Sequence, residues 1–403
     1  MKEDPSNKGA QTQIEPDSAG SFGAAAQSLR ILIVAPSFDI LGGQAVQAAR
    51  LINGLKSEPS LEIGFLPINP RLPGVLRKLQ SIKYVRTIVT SIWYVARLLA
   101  RVRGYDVIHV FSASYFSFLL APTPAILIGK LYGKKVVLNY HSGEAEDHLR
   151  RWRSAISTIR LADEIAVPSE YLVRVFSQFG LHAQAIFNTI EGFQFRERQP
   201  LRPVFLSNRN LEPHYGVDCV LRAFGAIQHS FPEARLTVAG DGSQRRSLEQ
   251  LSQELDLRNV AFTGQIAHEN VAALYADADI FLNGSEIDNQ PLSLLEAFAC
   301  GLPVVTTNAG GISYIVTHER TGLLVERGHY AAMAREAIRL IGDATLAGCL
   351  TRQAREECRK YRWEAVRDQW LSLYQSLAKN NVGDLSNTNP NPLAAQPHDE
   401  LAN

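Results

Sequence analysis

The chain has 403 residues, 46% of them hydrophobic, enough to bury the cores of two or three domains. Its 41 Lys and Arg against 40 Asp and Glu leave a formal charge of +1, which excludes a protein built chiefly to coat nucleic acid, because such domains are markedly basic. Four cysteines (Cys219, Cys300, Cys349 and Cys358) lack paired spacing, so neither a disulfide framework nor a zinc site is implied, and a reduced, cytoplasmic compartment is expected.

Residues 1–28 are small and polar and read as a disordered tail with no secretory signal. From Arg30 onward, short apolar runs alternate with helical periodicity. Ile31–Ala35 reads as a buried strand, followed by a loop holding Gly42-Gly43 and a helix through Leu55. Arg71–Arg103 is rich in Lys and Arg, interleaved with Ile, Val, Trp93 and Tyr94. It reads either as a helix pair with a solvated charged face or as a basic amphipathic surface resting on anionic lipid. Its longest charge-free stretch, Thr87–Ala96, is too short to span a bilayer. Further strands are expected at Glu62–Leu66, Asp106–Phe111, Lys135–Tyr140, Glu164–Val167 and Ala183–Phe187.

The polar stretch Glu191–Pro203 breaks this pattern and reads as a connector, with 29–192 as a first unit and 204–362 as a second. The second unit offers strands at Val204–Ser207, Arg235–Ala239, Val260–Thr263, Ile280–Asn283, Val304–Thr307 and Leu323–Val325. A last helix is expected over 363–379, and 380–403 reads as a second disordered tail. Buried strands separated by helices imply parallel sheets covered on both faces. The expected fold is therefore α/β, with two doubly wound units whose strand carboxyl ends face a central cleft, where ligands bind.

The chemistry concentrates in Ser285–Gly311, SEIDNQPLSLLEAFACGLPVVTTNAGG. A strand ends near Asn283, a loop carries Asp288-Asn289-Gln290-Pro291, and a helix starts near Leu292, offering its early N–H groups to an anion. Glu296 sits eight residues after Asp288, about one turn into that helix, and Gly301 suits its C-cap. This stretch resembles the signature of family-4 glycosyltransferases of the GT-B fold, and the resemblance extends over most of Arg30–Lys379.

The resemblance implies that Glu296 holds the ribose hydroxyls of a sugar nucleotide, and that Asp288, Asn289, Gln290 and Leu292 face the sugar and β-phosphate. Gly42 and Gly43 match the family's diphosphate-facing glycine loop, and His141 its histidine near the reacting sugar. Arg209 matches one of two cations that clamp the leaving diphosphate. The other, a lysine, is replaced by Tyr215, with His214 beside it. Gly242 is carried as a further nucleotide-side candidate. The implied reaction transfers a sugar from a nucleotide-sugar donor to a glycan or lipid-linked acceptor, with retention of anomeric configuration. The implied protein is cytoplasmic or peripheral on the inner membrane face.

Two decoys are set aside. Ala239-Gly240-Asp241-Gly242 lacks the third glycine of a dinucleotide fingerprint, since Arg245 stands there. Asp277-Ala278-Asp279 mimics a metal-binding pair, but Asp277 reads as closing a helix and Asp279 as opening a strand, so no essential metal or other cofactor is expected. Two rivals stay open: a sugar-nucleotide epimerase of the same fold, and a catalytically weak homologue motivated by Tyr215. Glu296→Ala is expected to leave the fold intact, on the reading that this carboxylate is solvated.

Overall fold

The computed structural model describes residues 28–386, apart from 39–41, 73, 75, 80, 81, 83, 84 and 113. The first tail, except Ser28, and residues 387–403 of the second lie outside the described residues. The first sheet holds β1 (Leu29–Ala35), β2 (Leu61–Pro67), β3 (Val107–Ser112), β4 (Lys135–Tyr140), β5 (Glu164–Val167) and β6 (Gln184–Ala185). The second holds β7 (Val204–Asn208), β8 (Arg235–Ala239), β9 (Val260–Gly264), β10 (Ile280–Asn283), β11 (Val304–Thr307) and β12 (Leu323–Val325). All paired strands run parallel. The central strands are buried on both faces, as their unbroken apolar runs require: every residue of β3, β10 and β11 is buried.

The strand orders are β2-β1-β3-β4-β5-β6 and β12-β11-β10-β7-β8-β9. Chain direction across each sheet therefore reverses beside its first strand, between β1 and β3 in one unit and between β7 and β10 in the other. A crevice opens at such a reversal, because the loops leave on opposite faces. The Gly42–Gly43 loop follows β1, Arg209 follows β7, and the Asp288 loop follows β10. The topology thus delivers the sequence-marked residues to the reversal points.

Polar groups sew the connector to the second unit. The buried Arg198 donates to the carbonyls of Tyr275, Ala278 and Cys300, and Arg196 N–H also reaches Cys300 O. Asp279 accepts from Arg202 Nη2 at 2.8 Å and from its backbone N–H at 2.7 Å. This commits Asp279 to the connector, immediately before β10, and Asp277 ends the helix Val271–Asp277.

The last helix spans Trp363–Ser386, running past Lys379 into the segment assigned to the tail. Its apolar residues Val366, Trp370, Leu373, Tyr374 and Leu377 pack in the core of the first unit with Ile31, Ile33 and the first helix, Gly43–Leu55. The chain therefore crosses back, tying the two units at a second point. Ile190 N–H bonds to Tyr361 O, so the two crossings lie side by side.

Candidate functional site

A cavity of about 450 Å³ lies between the two units, within the size range of small-ligand sites. Its wall includes Gly42, Gly43 and His141 from the first unit, and Arg209, Tyr215, Asp288, Asn289, Gln290, Leu292 and Glu296 from the second. Gly242 is not among the lining residues. Its position abuts the Leu211 carbonyl and Glu212, so a Cβ there would strike the Leu211 backbone at 2.5 Å. Gly240 lines the cavity instead, with φ of 125° and its α-carbon against the Arg209 carbonyl.

The first helix starts after Gly42 with no side-chain cap and no acid in its first turn. The helix Leu292–Cys300 starts after Pro291 in the same condition, and Gly301 closes it in the left-handed region at φ 76°. A Cβ on Gly43 would lie 3.6 Å from the Leu292 side chain. Two uncapped amide ends, one from each unit, therefore meet at the cavity. Each carries a partial positive charge and unsatisfied N–H donors suited to phosphate oxygens.

The Arg209 guanidinium occupies the second wall. It forms an ion pair with Asp288 in which both side chains are about nine-tenths buried. Nη1 donates to Ser293 Oγ at 3.1 Å, and the guanidinium carbon lies 4.1 Å from the Tyr215 ring centroid. Its Nε is buried without a partner. Tyr215 thus covers the cation it was expected to accompany, and the His214 ring lies against Tyr215 at a tilt of 52°, 4.1 Å between ring centroids. Burial raises the Tyr215 phenol further above its ordinary range, so it stays a neutral donor.

Glu296 departs from the sequence expectation. It is buried, at 7% exposure, rather than solvated, while still lining the cavity. Tyr275 Oη donates to Glu296 Oε2 at 2.9 Å, and burial raises its carboxyl pKa despite Tyr275, Arg50 and Arg209. Arg50, on the first helix, donates through Nη1 to Thr189 O at 2.6 Å and leaves Nη2 buried and unpartnered. Gln47 from the same helix binds Thr189 N–H and C=O at 2.8 and 2.9 Å. These residues had no sequence motif. Their polar identity on the buried face of a helix was the available signal.

The Asp288 loop bridges the units. Asn289 Oδ1 accepts from Ser169 Oγ, and Gln290 Oε1 accepts from Asn188 N–H at 2.9 Å. The loop rests on Gly310 and Gly311, where any Cβ would collide with the carbonyls of Asp288 and Asn289. That pair stands inside the recognised stretch, yet its supporting task depends on a contact invisible in the sequence.

His141 follows β4 and lies flat on Phe111, which lies flat on His109, with centroids 5.0 and 5.2 Å apart. Its Nε2 is buried and unpartnered, and burial pulls its pKa down to about 3. The imidazole is therefore neutral at physiological pH. His109 sits 2.6 Å from Tyr374 Oη of the crossing helix and 3.1 Å from Asn139 Nδ2. Tyr374→Phe strands His109 Nδ1 and is expected to cost about 1–2 kcal/mol in denaturant unfolding. A loss below a few tenths of a kcal/mol would show that the bond contributes nothing.

Among the described residues, no group of three or more His, Cys, Asp or Glu side chains gathers to hold a metal ion. No described helix is long and apolar enough to cross a membrane.

Two family models match adjoining parts of the chain: Glycosyltransferase Family 4 over residues 41–190 and Glycosyl transferases group 1 over residues 191–361. Sulfoquinovosyl transferase SQD2 of Arabidopsis thaliana is 27% identical over 311 residues, covering 70% of this chain and 59% of that protein. A GDP-mannose-dependent alpha-(1-6)-phosphatidylinositol monomannoside mannosyltransferase of Mycobacterium tuberculosis is 28% identical over 201 residues, covering 47% and 51%. The chain thus matches between half and three-fifths of these relatives' lengths. Among solved structures, Anabaena Alr3699/HepE in complex with UDP and glucose superposes with a TM-score of 0.69 at 18% identity, covering 86% of this chain and all of that one.

Proposed function

The chain belongs to the family-4 glycosyltransferases of the two-unit GT-B fold, and from that membership we propose that it transfers a sugar from a nucleotide-sugar donor. The observation that carries this reading is the single cavity onto which Arg209, Asp288, Glu296, His141 and the Gly42–Gly43 loop converge. The nucleoside diphosphate would lie along the second unit, its ribose hydroxyls on Glu296 and its phosphates between the two uncapped helix starts. Charge that builds on the departing phosphate would meet preoriented N–H groups and Arg209. Asp288, Asn289 and Gln290 would hold the sugar, and the neutral His141 would offer it a hydrogen bond.

The acceptor would enter from the first unit. A glycan or lipid-linked acceptor is supported by the mycobacterial relative, whose name specifies a phosphatidylinositol monomannoside. The transfer would keep the anomeric configuration, as the family resemblance implies. It would need no protein-held metal, a reading supported by the commitment of Asp279 to Arg202.

A thermal-shift panel of UDP-, GDP- and ADP-sugars tests the donor assignment. A ligand at about a hundredfold its dissociation constant adds about 2.7 kcal/mol to the native state, a rise of several degrees. One nucleotide class should stand out, and its sugar should be transferred to a cell-envelope extract with chelator present. A flat panel would overturn the reading.

The burial of Arg209 under Tyr215 and its pairing with Asp288 favour one alternative, a homologue that binds donor and turns it over weakly. Tight binding without labelled product would select it.

A further inference from the structure

The three helices Val85–Val102, Tyr115–Leu120 and Pro122–Leu131 form one layer on the first sheet. Their inward residues, among them Tyr94, Leu98, Phe118 and Ile126, join the core with Leu32, Val34, Ile108 and Leu138. Tyr94 Oη donates to Ala121 O at 2.9 Å, locking the layer together. The outward side is apolar to an unusual degree. Among the described residues, thirteen large hydrophobic side chains are exposed, and nine of them fall between Ile82 and Leu131. Ile88, Ile92, Phe116 and Leu131 are 61%, 64%, 70% and 78% exposed. Single exposed hydrophobics are ordinary, but a contiguous set marks an interaction surface.

Charge identifies the partner. Between Arg71 and Lys135 the chain carries eleven Lys or Arg and one acid, Asp106, although the whole protein is nearly neutral. Asp106 is paired with Arg30. Arg77, Lys78, Arg86 and Arg97 are exposed and form no ion pair among the described residues. Arg86 and Arg97 flank Ile88 and Ile92 on the same helix. Lys130 and Lys135, near Leu131, pair with Asp163. Exposed apolar side chains flanked by unpaired cations suit a surface that is hydrocarbon below and anionic above.

We propose that the layer formed by these three helices docks on an anionic lipid bilayer, inserting Ile88, Ile92, Phe116 and Leu131 while Arg86 and Arg97 meet the headgroups. The surface is wider than the Arg71–Arg103 segment marked by sequence, because two later helices supply Phe116 and Leu131. It also leads to the cleft: Tyr115, beside Phe116, bonds to Asp147, three residues beyond the cavity-lining Glu144. A lipid-linked acceptor held in the bilayer would meet the cavity along this rim. The inference deepens the lipid-linked reading above, but its test uses no turnover.

The full chain is floated with vesicles of phosphatidylcholine alone and with vesicles containing roughly one-third phosphatidylglycerol. It should float with the anionic vesicles, and added salt should release it. The Arg86→Glu/Arg97→Glu variant should lose affinity by roughly thirtyfold or more, from about 1 kcal/mol for each cation near the surface. Ile92→Ser/Phe116→Ser/Leu131→Ser should also fail to float, with an unchanged melting temperature. Flotation that is absent, or undiminished in both variants, would overturn the proposal. So would a dimer in free solution that the serine variant dissolves, since a second copy would then own the surface. Donor binding in the thermal-shift panel is independent of either result.

Discussion

Glu296→Gln should make the protein more stable at neutral pH and, at the same time, abolish tight nucleotide binding. The folded protein holds this carboxyl above its unfolded pKa, chiefly by burial. A group raised in this way contributes stability that is fully present below the unfolded carboxylate value of about 4.3 and is lost as pH rises through the folded value. At pH 7 the ionised carboxylate is therefore a burden on the fold. Gln has nearly the same shape, and its carbonyl can still accept from Tyr275 Oη. A gain of about 1 kcal/mol is expected at pH 7, shrinking toward zero near pH 4.

The same substitution removes the charged acceptor proposed for the ribose hydroxyls. Hydrogen bonds to charged groups contribute about 1.5–3 kcal/mol, so affinity for the nucleotide should fall by more than about tenfold. Calorimetric titration and thermal unfolding across pH 4–7 separate the two effects. A less stable Gln variant at neutral pH would mean that Arg50 and Arg209 outweigh burial. Unchanged affinity would remove Glu296 from the nucleotide site. Glu296→Ala, by contrast, empties a buried volume and should cost some stability, although the Tyr275 hydroxyl keeps Ser293 O at 3.0 Å and Asn208 Nδ2 at 3.1 Å.

The legible parts of this protein are those set by local pattern. Lys135–Tyr140, Ile280–Asn283 and Val304–Thr307 fold as strands because unbroken apolar runs between helices fit only a sheet covered on both faces. Gly301 ends its helix because φ of 76° suits a residue without a Cβ. Arg209, Asp288 and His141 were marked by resemblance to the family's motifs, and each follows a strand that ends at the cleft. Contacts between the units were not legible. The setting of Glu296 includes the Tyr275 hydroxyl and the charge of Arg50 from the other unit, and nothing in its spacing from Asp288 encodes either. Gly242 and Gly240 could not be told apart for a related reason: the loop reads alike at both, and the fold puts Gly240 in the cavity lining. The basic, apolar helix layer was half legible, since the charge run was plain but the joining of Phe116 and Leu131 to it required the fold.

Arg209→Ala is expected to produce the largest combined loss. Removing one partner of a buried ion pair leaves the other charge uncompensated, at a cost of about 3–5 kcal/mol. Asp288 would keep the Asn289 N–H at 2.9 Å and Ser285 Oγ at 3.3 Å, which places the cost toward the lower end. Part of it should return in Arg209→Ala/Asp288→Ala, because the double variant removes the stranded carboxylate. Turnover should not return. If the guanidinium stabilises charge on the departing phosphate, both variants lose roughly 10²–10³ in kcat. The split between stability and rate decides the role of the pair. Recovery of both together would make Arg209 a structural counter-ion for Asp288, and the diphosphate would then rest on the two helix starts alone. Recovery of stability without rate would keep the pair in the reaction, Asp288 on the sugar or Arg209 on the phosphate, with Tyr215 as the lid over the cation.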